Sequence, residues 1–480
     1  MNNLNFLVDV LKESPVFKTL EKNVKPGRTV CASGLSTINK SNIIYALCRL
    51  KGVTAFCLAS DEKEAQTLCN DLSCMGLRAY VYPVRDFNFL DFQSRSHEYE
   101  HARLKVLLKL LNHECDVAIA CVDAAAQLTV PRNVLEQSVI EFEEGRELSL
   151  EKATKALTLL GYERFDAVEG SGQFSLRGGI LDFFMPDSDY PVRCEFWGDE
   201  ITDLSYFDIE TQRRFKKADK ITLSPSTEIV IEDRAALADK IEHKAKLLRS
   251  KNSAKAKEKL FSEAELIRSG AMIANADKFI NQIYDKPESL FDYLDRNTLV
   301  FASEFTAIQE RGKSMDFISN ETLMQGFEDG TLCRGFDRFA LTFNECTEFL
   351  QSHGTIVLEN FVHGSMPIKL SEIISFSTKQ LSAWGGSYKQ LKEDVDGLFT
   401  PESKGVIFAG TERAAKNLCD TFNADGINAV YSEGADKISK GELLVMQGAL
   451  SAGFEYPSQK FFAITYSPVS YTHLRAHETA

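Results

Sequence analysis

The segment V-C-A-S-G-L-S-T-I-N-K-S, residues 30–41, decides how the first α/β unit of this chain is interpreted. From Gly34 onward it reads G-x-x-x-x-N-K-S, one substitution away from the phosphate-binding loop G-x-x-x-x-G-K-[ST]. The strand-like run T-V-C-A leads into the loop, and the helix-like run N-I-I-Y-A-L-C-R-L follows it. The sequence therefore predicts a strand, a loop and a helix, and raises the question of whether the loop still binds nucleotide.

The loop retains some residues that a phosphate site requires and lacks another. Gly34, Lys40 and Ser41 are correctly spaced to supply a glycine turn, a cation for the phosphates and a hydroxyl for Mg²⁺. Asn39 replaces the second glycine. Asparagine tolerates left-handed backbone geometry better than most residues, but its side chain crowds the path of the phosphates. The sequence thus predicts a degenerate nucleotide loop.

Nucleotide hydrolysis also needs an acidic residue at the end of a neighbouring strand, to hold the Mg²⁺. The strand T-L-V-F-A-S, residues 298–303, leads into Ser303-Glu304 where a helicase-type motor has Asp-Glu. Because both motifs are altered, we expect no catalytic residue and a loop that only connects a strand to a helix. The alternative is an ATPase that uses Lys40, Ser41 and Glu304.

The first 130 residues alternate between apolar strands and helices, which is typical of a parallel sheet with crossover helices. The predicted strands are 29–32, 53–59, 78–83 and 116–122, and the predicted helices are 42–50, 61–72 and 98–111.

The pattern changes near residue 140. From Ile140 to Ser224 the strands alternate apolar and polar residues, with glycine and proline between them. This predicts a small, mainly antiparallel domain with one helix, at 149–160. Helical character returns from about residue 233 to 290, and a last α/β unit runs from about 355 to 466, with strands at 405–410 and 442–447.

Composition excludes several classes of protein. The 480 residues suffice for about three domains, and no run of eighteen apolar residues indicates a membrane-spanning helix. The N-terminus lacks the basic start of a signal peptide. The eleven cysteines show no zinc-binding spacing, and buried thiols in a reducing cytosol are expected. We therefore predict a cytoplasmic protein without a metal site.

A net charge of −14 argues against a chain that binds polyanions as a whole. The segment Lys240–Lys259 is the local exception, because it is rich in lysine and helical in composition. It could follow a phosphate backbone, but a solvated helix face is favoured because Glu242 and Glu258 dilute the charge and no aromatic residue is interleaved.

The strands near residues 173–177 and 192–197 place a distinctive set of side chains on one face. Period-two alternation turns Arg177, Arg193, Glu195 and Trp197 away from the core. An outward tryptophan beside outward arginines is the composition of an interface hot spot. The alternative is a self-contained patch in which Arg193 pairs with Glu195 or Asp199. On alternation alone, both interpretations remain open.

Four strings carry a resemblance to a known family. They are A-Y-V-Y-P-V-R-D-F (79–87), R-G-G-I-L-D-F-F-M-P (177–186), V-R-C-E-F-W-G-D-E-I (192–201) and F-D-I-E-T-Q-R-R (207–214). From about residue 10 to 466, the chain resembles the UvrB-like module shared by the excinuclease subunit UvrB and the transcription-repair coupling factors. UvrB has intact nucleotide motifs and a long DNA-clamping hairpin. Here both motifs are degenerate and only residues 85–97 occupy the place of the hairpin, so the chain is more similar to the coupling factor family.

This resemblance implies a function in nucleotide excision repair. The family's module recruits UvrA to stalled RNA polymerase, and its UvrA-contacting positions fall on Arg177, Arg193 and Trp197, the last of which is usually phenylalanine in the family. DNA and RNA polymerase are expected as partners only through a C-terminal part that this sequence lacks. ATP and Mg²⁺ belong to the motor in that part, so the resemblance implies no cofactor for this chain. The runner-up is a UvrB-like repair helicase that uses residues 34–41.

The resemblance also divides the chain. It implies an α/β fold in which a degenerate helicase-like domain with a parallel sheet contains an inserted, mainly antiparallel α+β domain and is followed by a further α/β domain. Residues 468–480 fit no family expectation and are predicted to be non-native. The expected segments are 1–138 and 225–345 for the helicase-like domain, 139–224 for the UvrA-binding insertion and 346–467 for the third domain.

Overall fold

The computed structural model describes residues 3–85, 97–249, 253–270, 276–361, 366–385 and 387–466. Two sequence-based predictions lie outside these ranges. One concerns most of the short stretch in the place of the UvrB hairpin, and the other concerns the tail at 468–480.

The chain begins with an α/β unit whose strands are apolar on both faces. Helices start where the sequence supplies caps, such as Ser14 before Pro15 and Asp61, whose carboxylate accepts from the Glu64 N–H. The elements are α1 (Asn5–Lys12), α2 (Pro15–Asn23), β1 (Val30–Ser33), α3 (Thr37–Lys51), β2 (Ala55–Ala59), α4 (Glu62–Cys74), β3 (Ala79–Tyr82), α5 (Glu98–Leu111), β4 (Val117–Cys121), α6 (Val122–Ala126) and α7 (Arg132–Gln137).

An insertion with a different architecture follows. The chain enters it through β5 (Ile140–Glu143) and leaves it through β12 (Lys220–Leu223), and these two strands pair with each other. Between them lie α8 (Leu150–Leu159) and a six-stranded, mostly antiparallel sheet. Its strands are β6 (Glu163–Arg164), β7 (Gln173–Arg177), β8 (Ile180–Phe183), β9 (Val192–Trp197), β10 (Glu200–Phe207) and β11 (Arg214–Lys217).

The chain then returns to the first unit and completes its sheet. The further elements are α9 (Arg234–Leu247), α10 (Ser253–Ser269), α11 (Ile280–Ile283), β13 (Leu299–Ser303), α12 (Phe305–Asp329), α13 (Phe343–His353), β14 (Thr355–Leu358) and β15 (Glu372–Ser375). The resulting seven-stranded sheet has the order β15-β1-β14-β13-β2-β4-β3, and every pairing in it is parallel. The predicted parallel sheet is confirmed.

The predicted start of the third domain at residue 346 is wrong. Strand β14 lies between β1 and β13 in the first sheet, and β15 pairs with β1 at its edge. A short apolar strand after a helix does not reveal from sequence which sheet it joins, so β14 was indistinguishable from the first strand of a new unit. The first sheet therefore extends to Ser375.

The last unit is a second α/β layer. It comprises β16 (Lys379–Leu381), α14 (Tyr388–Leu398), β17 (Lys404–Phe408), α15 (Glu412–Ala424), β18 (Ala429–Ser432), β19 (Glu442–Met446), β20 (Gly453–Tyr456) and β21 (Phe461–Thr465). Helices α14 and α15 cover one face of its sheet. The other face packs against α1 and α3, so that residues such as Phe6, Phe408, Phe454 and Phe461 share one buried cluster with the first unit.

The insertion is attached to the first unit by a buried polar cluster. Arg103 on α5 is fully buried, and its Nε donates to Oε1 of Glu228 at 2.6 Å. The Thr129 hydroxyl donates to the other Glu228 oxygen at 2.7 Å, and the Arg103 guanidinium lies over the Tyr82 ring. Because Glu228 follows the last strand of the insertion, this cluster fixes the segment through which the chain leaves it.

Candidate functional site

The first candidate site lies at the carboxyl edge of the parallel sheet, where β1, β2, β13 and β14 end next to one another. In a parallel sheet this edge gathers the loops that bind ligands. It therefore brings together the loop at Gly34, the start of α4 and the pairs Ser303-Glu304 and Glu359-Asn360.

The backbone of the loop is engaged within the protein. The N–H groups of Gly34 and Leu35 donate to the carbonyl oxygens of Asn360 and Glu359, both at 3.1 Å. Gly34 has a φ of +78°, and a Cβ at that position would lie 2.2 Å from the Phe376 carbonyl oxygen. A phosphate cradle needs inward N–H groups that are open to an anion. These two N–H groups already have acceptors, and the backbone of Phe376 closes the space beside Gly34.

Lys40 is also engaged. Its side chain is almost fully buried, and the ammonium nitrogen lies 2.5 Å from Oε1 of Glu304, 2.9 Å from Oγ of Ser303 and 3.3 Å from Oε1 of Glu64. The structure thus brings together the predicted residues Lys40, Ser303 and Glu304. They form an internal ion cluster, in which the lysine charge is balanced by carboxylates of the protein.

The pKa values of two carboxyl groups at this edge, those of Glu64 and Glu359, are shifted in opposite directions. Burial disfavours ionisation of Glu64, but Lys40 and hydrogen bonds from Ser303 and Ser60 outweigh it and hold the pKa of Glu64 below its ordinary value. Burial, together with the nearby Glu304 carboxylate, raises the pKa of Glu359 to about 7. Additional negative charge at this edge, such as a triphosphate, would be unfavourable.

The side chains of Asn39 and Ser41 are buried and form hydrogen bonds within the protein. The Asn39 amide nitrogen donates to the Tyr456 hydroxyl at 3.4 Å, and the Asn42 amide nitrogen donates to it at 3.0 Å. The Ser41 hydroxyl donates to Asp71 at 3.3 Å. The first turns of α3 therefore face the third domain, and the side chain that replaces the loop glycine contributes to that joint.

Asp71 completes the joint between the two α/β units. Its carboxylate accepts from the backbone N–H and the hydroxyl of Ser451, each at 2.7 Å. Burial raises the pKa of Asp71 to about 6, although the hydrogen bonds from Ser451 and Ser41 lower it in part. Sequence reasoning did not find this residue, nor Glu64, Glu359 and Tyr456, because their partners lie far away along the chain.

These observations do not fit a bound nucleotide. The N–H groups of Gly34 and Leu35, the Lys40 ammonium and the Ser41 hydroxyl all have partners within the protein. Among the residues that the structure describes, no group of three His, Cys, Asp or Glu side chains is arranged to hold a metal ion.

The described helices also include none that is long and apolar enough to cross a membrane.

The second candidate site is the face of the inserted sheet that carries Trp197. The indole is 81% exposed and stands at the end of β9, where Gly198 turns the chain into β10 with a φ of +65°. Phe174 and Cys194 lie in the core on the opposite face. The predicted alternation of β7 and β9 is therefore found in the structure.

The two arginines on this face share one carboxylate. Asp182, which is buried, accepts from Arg193 through Nε at 2.7 Å and through Nη2 at 2.8 Å, and from Nη2 of Arg177 at 2.8 Å. The suggested pairing of Arg193 with Glu195 or Asp199 is wrong, because Arg193 pairs with Asp182 and Glu195 pairs with Arg214. Alternation along a strand does not show that Asp182, directly opposite Arg193 on β8, faces the same side.

Arg177 and Arg193 point to the same face of the sheet, but they differ in solvent exposure. The Arg177 side chain is 51% exposed, whereas that of Arg193 is only 13% exposed. The Arg193 guanidinium lies 4.4 Å from the centre of the Phe207 ring and donates from Nη1 to the Gln212 carbonyl at 3.2 Å. The loop between β10 and β11 thus covers one of the two predicted contact arginines in part.

Within the basic segment Lys240–Lys259, residues 240–247 belong to α9 and residues 253–259 belong to α10. Lys240 is 3.3 Å from Asp285, and Lys246 is 3.7 Å from Glu242. Part of its positive charge is therefore neutralised on the protein, as expected for a solvated helix face.

Fold and surface together define a class of protein: a parallel α/β scaffold whose loop edge is closed by internal ion pairs and which carries an inserted, mostly antiparallel domain with an exposed tryptophan. Residues 140–229 match the UvrB interaction domain family, a range that covers the insertion.

The chain is also similar along most of its length to transcription-repair-coupling factors. The chain is 26% identical over 469 residues to the transcription-repair-coupling factor of Bacillus subtilis, an alignment that covers 95% of this chain and 39% of the relative. It is 25% identical over 406 residues to the factor of Staphylococcus epidermidis, covering 80% and 33%. It is 22% identical over 473 residues to that of Staphylococcus aureus, covering 96% and 40%. The resemblance to the N-terminal part of a coupling factor is thereby confirmed, and the chain spans about two fifths of the length of such relatives.

Proposed function

We propose that this chain is a docking module that recruits UvrA in transcription-coupled nucleotide excision repair. The observation that carries the proposal is the exposed Trp197 on the same sheet face as Arg177, in a domain that matches the UvrB interaction domain. Aromatic and arginine side chains dominate the binding energy of protein interfaces. The residues assigned to the docking surface are Arg177, Arg193 and Trp197, and the function is recognition without chemistry.

The closed nucleotide edge supports the same proposal. A module that only docks needs no ATP, and the ion cluster around Lys40 keeps the edge stable without one. We propose that this chain uses no cofactor and acts in the cytoplasm. DNA and RNA polymerase would be engaged through other parts of a longer coupling factor, whose motor would also be the part that hydrolyses ATP.

Calorimetric titration of purified UvrA into this chain tests the proposal. Arg177→Ala, Arg193→Ala and Trp197→Ala are each expected to weaken binding by about 1–3 kcal/mol, as truncated anchors commonly do. Arg338→Ala is the matched control, because Arg338 is also about half exposed and also pairs with one carboxylate, that of Glu345. Unchanged affinity in all three variants would refute the assignment.

A further inference from the structure

The docking face contains one buried carboxylate that holds both of its arginines. Asp182 lies on β8 directly opposite Arg193 on β9, and its side chain is only 1% exposed. Both of its oxygens are used by guanidinium groups, Oδ1 by Arg193 and Oδ2 by Arg193 and Arg177. The two hydrogen bonds to Arg193 fix the plane of its guanidinium group, and the single hydrogen bond to Arg177 restrains that side chain.

The two arginines have different numbers of donors left for a partner. A guanidinium carries five N–H donors. Arg193 uses its Nε–H for Asp182, one Nη1–H for the Gln212 carbonyl and both Nη2 donors for Asp182 and the Gln212 side chain. Among the described residues, Arg177 uses one donor, for Asp182. Arg177 therefore retains most of the fork with which arginine recognises a carboxylate.

From this difference we infer that Asp182 is a positioning residue of the docking surface, that Arg193 braces it, and that Arg177 directly binds a carboxylate of the partner. Asp182 is too deeply buried to touch the partner itself. Its hydrogen bond restrains the Arg177 guanidinium, which reduces the entropy that the side chain loses on binding. The partner is thus a surface that offers an acidic group beside an apolar recess for Trp197. The inference rests on the proposed recruitment of UvrA.

A double-mutant cycle with purified UvrA as the probe tests the positioning role. Asp182→Asn keeps the shape of the side chain and removes its charge. We expect it to raise the Kd about tenfold in the unsubstituted chain and in Trp197→Ala, but less than about twofold in Arg177→Ala. A merely structural defect would give the same factor in all three backgrounds, and that result would overturn the inference. So would an unchanged Kd in Asp182→Asn.

A second variant keeps the test independent of the stability of Asp182→Asn, which thermal melting would monitor. Arg177 is half exposed, and Arg177→Lys retains its positive charge but removes the planar guanidinium group. We expect it to raise the Kd at least fivefold. Binding as tight as that of the unsubstituted chain would show that charge alone is recognised, and would overturn the inference. If the unsubstituted chain did not bind UvrA, the proposed function would fail and this inference with it, whereas binding with wrong cycle values would reject this inference alone.

Discussion

The ammonium group of Lys40 lies 2.5 Å from the carboxylate of Glu304, so the two residues that would act on nucleotide and metal in a motor bind each other. Glu304 has a left-handed backbone with a φ of +56°, and its Oε1 also accepts from the Asn360 N–H at 2.9 Å. Non-glycine residues adopt this conformation when the surroundings fix it. The ion pair between Lys40 and Glu304 therefore stabilises the fold at the place where a motor would bind nucleotide and metal.

Lys40→Met is expected to destabilise the protein instead of affecting an activity. The substitution leaves Glu64 and Glu304 without their buried cation, and removal of one partner from a buried ion pair costs about 3–5 kcal/mol. Urea denaturation at neutral pH measures the loss. Lys416→Met, which breaks the exposed pair with Glu412, is the control and should leave stability nearly unchanged. Saturable ATP binding that is present in the unsubstituted chain and lost in Lys40→Met would contradict the interpretation.

Glu359→Gln is expected to change the pH dependence of stability. The folded pKa of about 7 lies above the ordinary value of 4.5, so the folded state holds more protons than the unfolded state between these values. The free energy of unfolding therefore falls as pH rises through this window, and part of the loss at neutral pH is due to the Glu359 charge near Glu304. The glutamine variant should gain about 1–3 kcal/mol relative to the unsubstituted chain between about pH 4.5 and pH 8.

Denaturation curves at several pH values check this expectation. Glu393→Gln, on the exposed surface of α14, provides the control, because it removes the charge of an exposed carboxylate. A constant difference between Glu359→Gln and the unsubstituted chain across the window would show that Glu359 does not titrate there.

Tyr456→Phe tests the joint between the two α/β units. The change removes the hydroxyl that accepts from Asn39 and Asn42 and leaves two buried amides unpaired, which is expected to cost about 1–3 kcal/mol. Chemical denaturation measures the loss. The control is Tyr431→Phe in the same domain, because the described residues offer its hydroxyl no hydrogen-bond partner. Equal, small effects of the two substitutions would mean that the Asn39 contact does not stabilise the joint.

Local patterns in the sequence predicted much of the fold. The apolar runs at β1, β2, β3 and β4 are strands because continuous hydrophobicity requires burial on both faces of a parallel sheet. The predicted helix at 42–50 was too short, since α3 begins at Thr37, and its first turn contains Asn39 and Lys40. A β-branched residue at the first helical position gave no signal for that start.

The partners of the site residues could not be predicted in the same way. Lys40 was visible as a retained motif position and Ser303 as an altered one, but their contact with Glu64 depends on three segments that are adjacent only in the folded protein. Asp182 was likewise hidden, because its role comes from cross-strand register, and register depends on pairing that no single strand encodes. Sequence patterns indicated which charged side chains belong to the candidate sites, whereas the tertiary structure determines which residues pair with them.

Trp197→Phe distinguishes an aromatic anchor from an exposed side chain without a function. The indole is 81% exposed, so neither Trp197→Phe nor Trp197→Ala should change the free energy of unfolding by more than about 0.5 kcal/mol. If Trp197 fills a recess on UvrA, alanine should weaken binding by about 2 kcal/mol. Phenylalanine, the residue usual in the family, should retain most of the affinity because it keeps a flat apolar ring. Calorimetric titration of UvrA measures each value.

Phe361→Ala is the control, because Phe361 is 71% exposed but lies outside the insertion. Equal losses for phenylalanine and alanine would indicate that the indole N–H, and not the aromatic surface, is recognised.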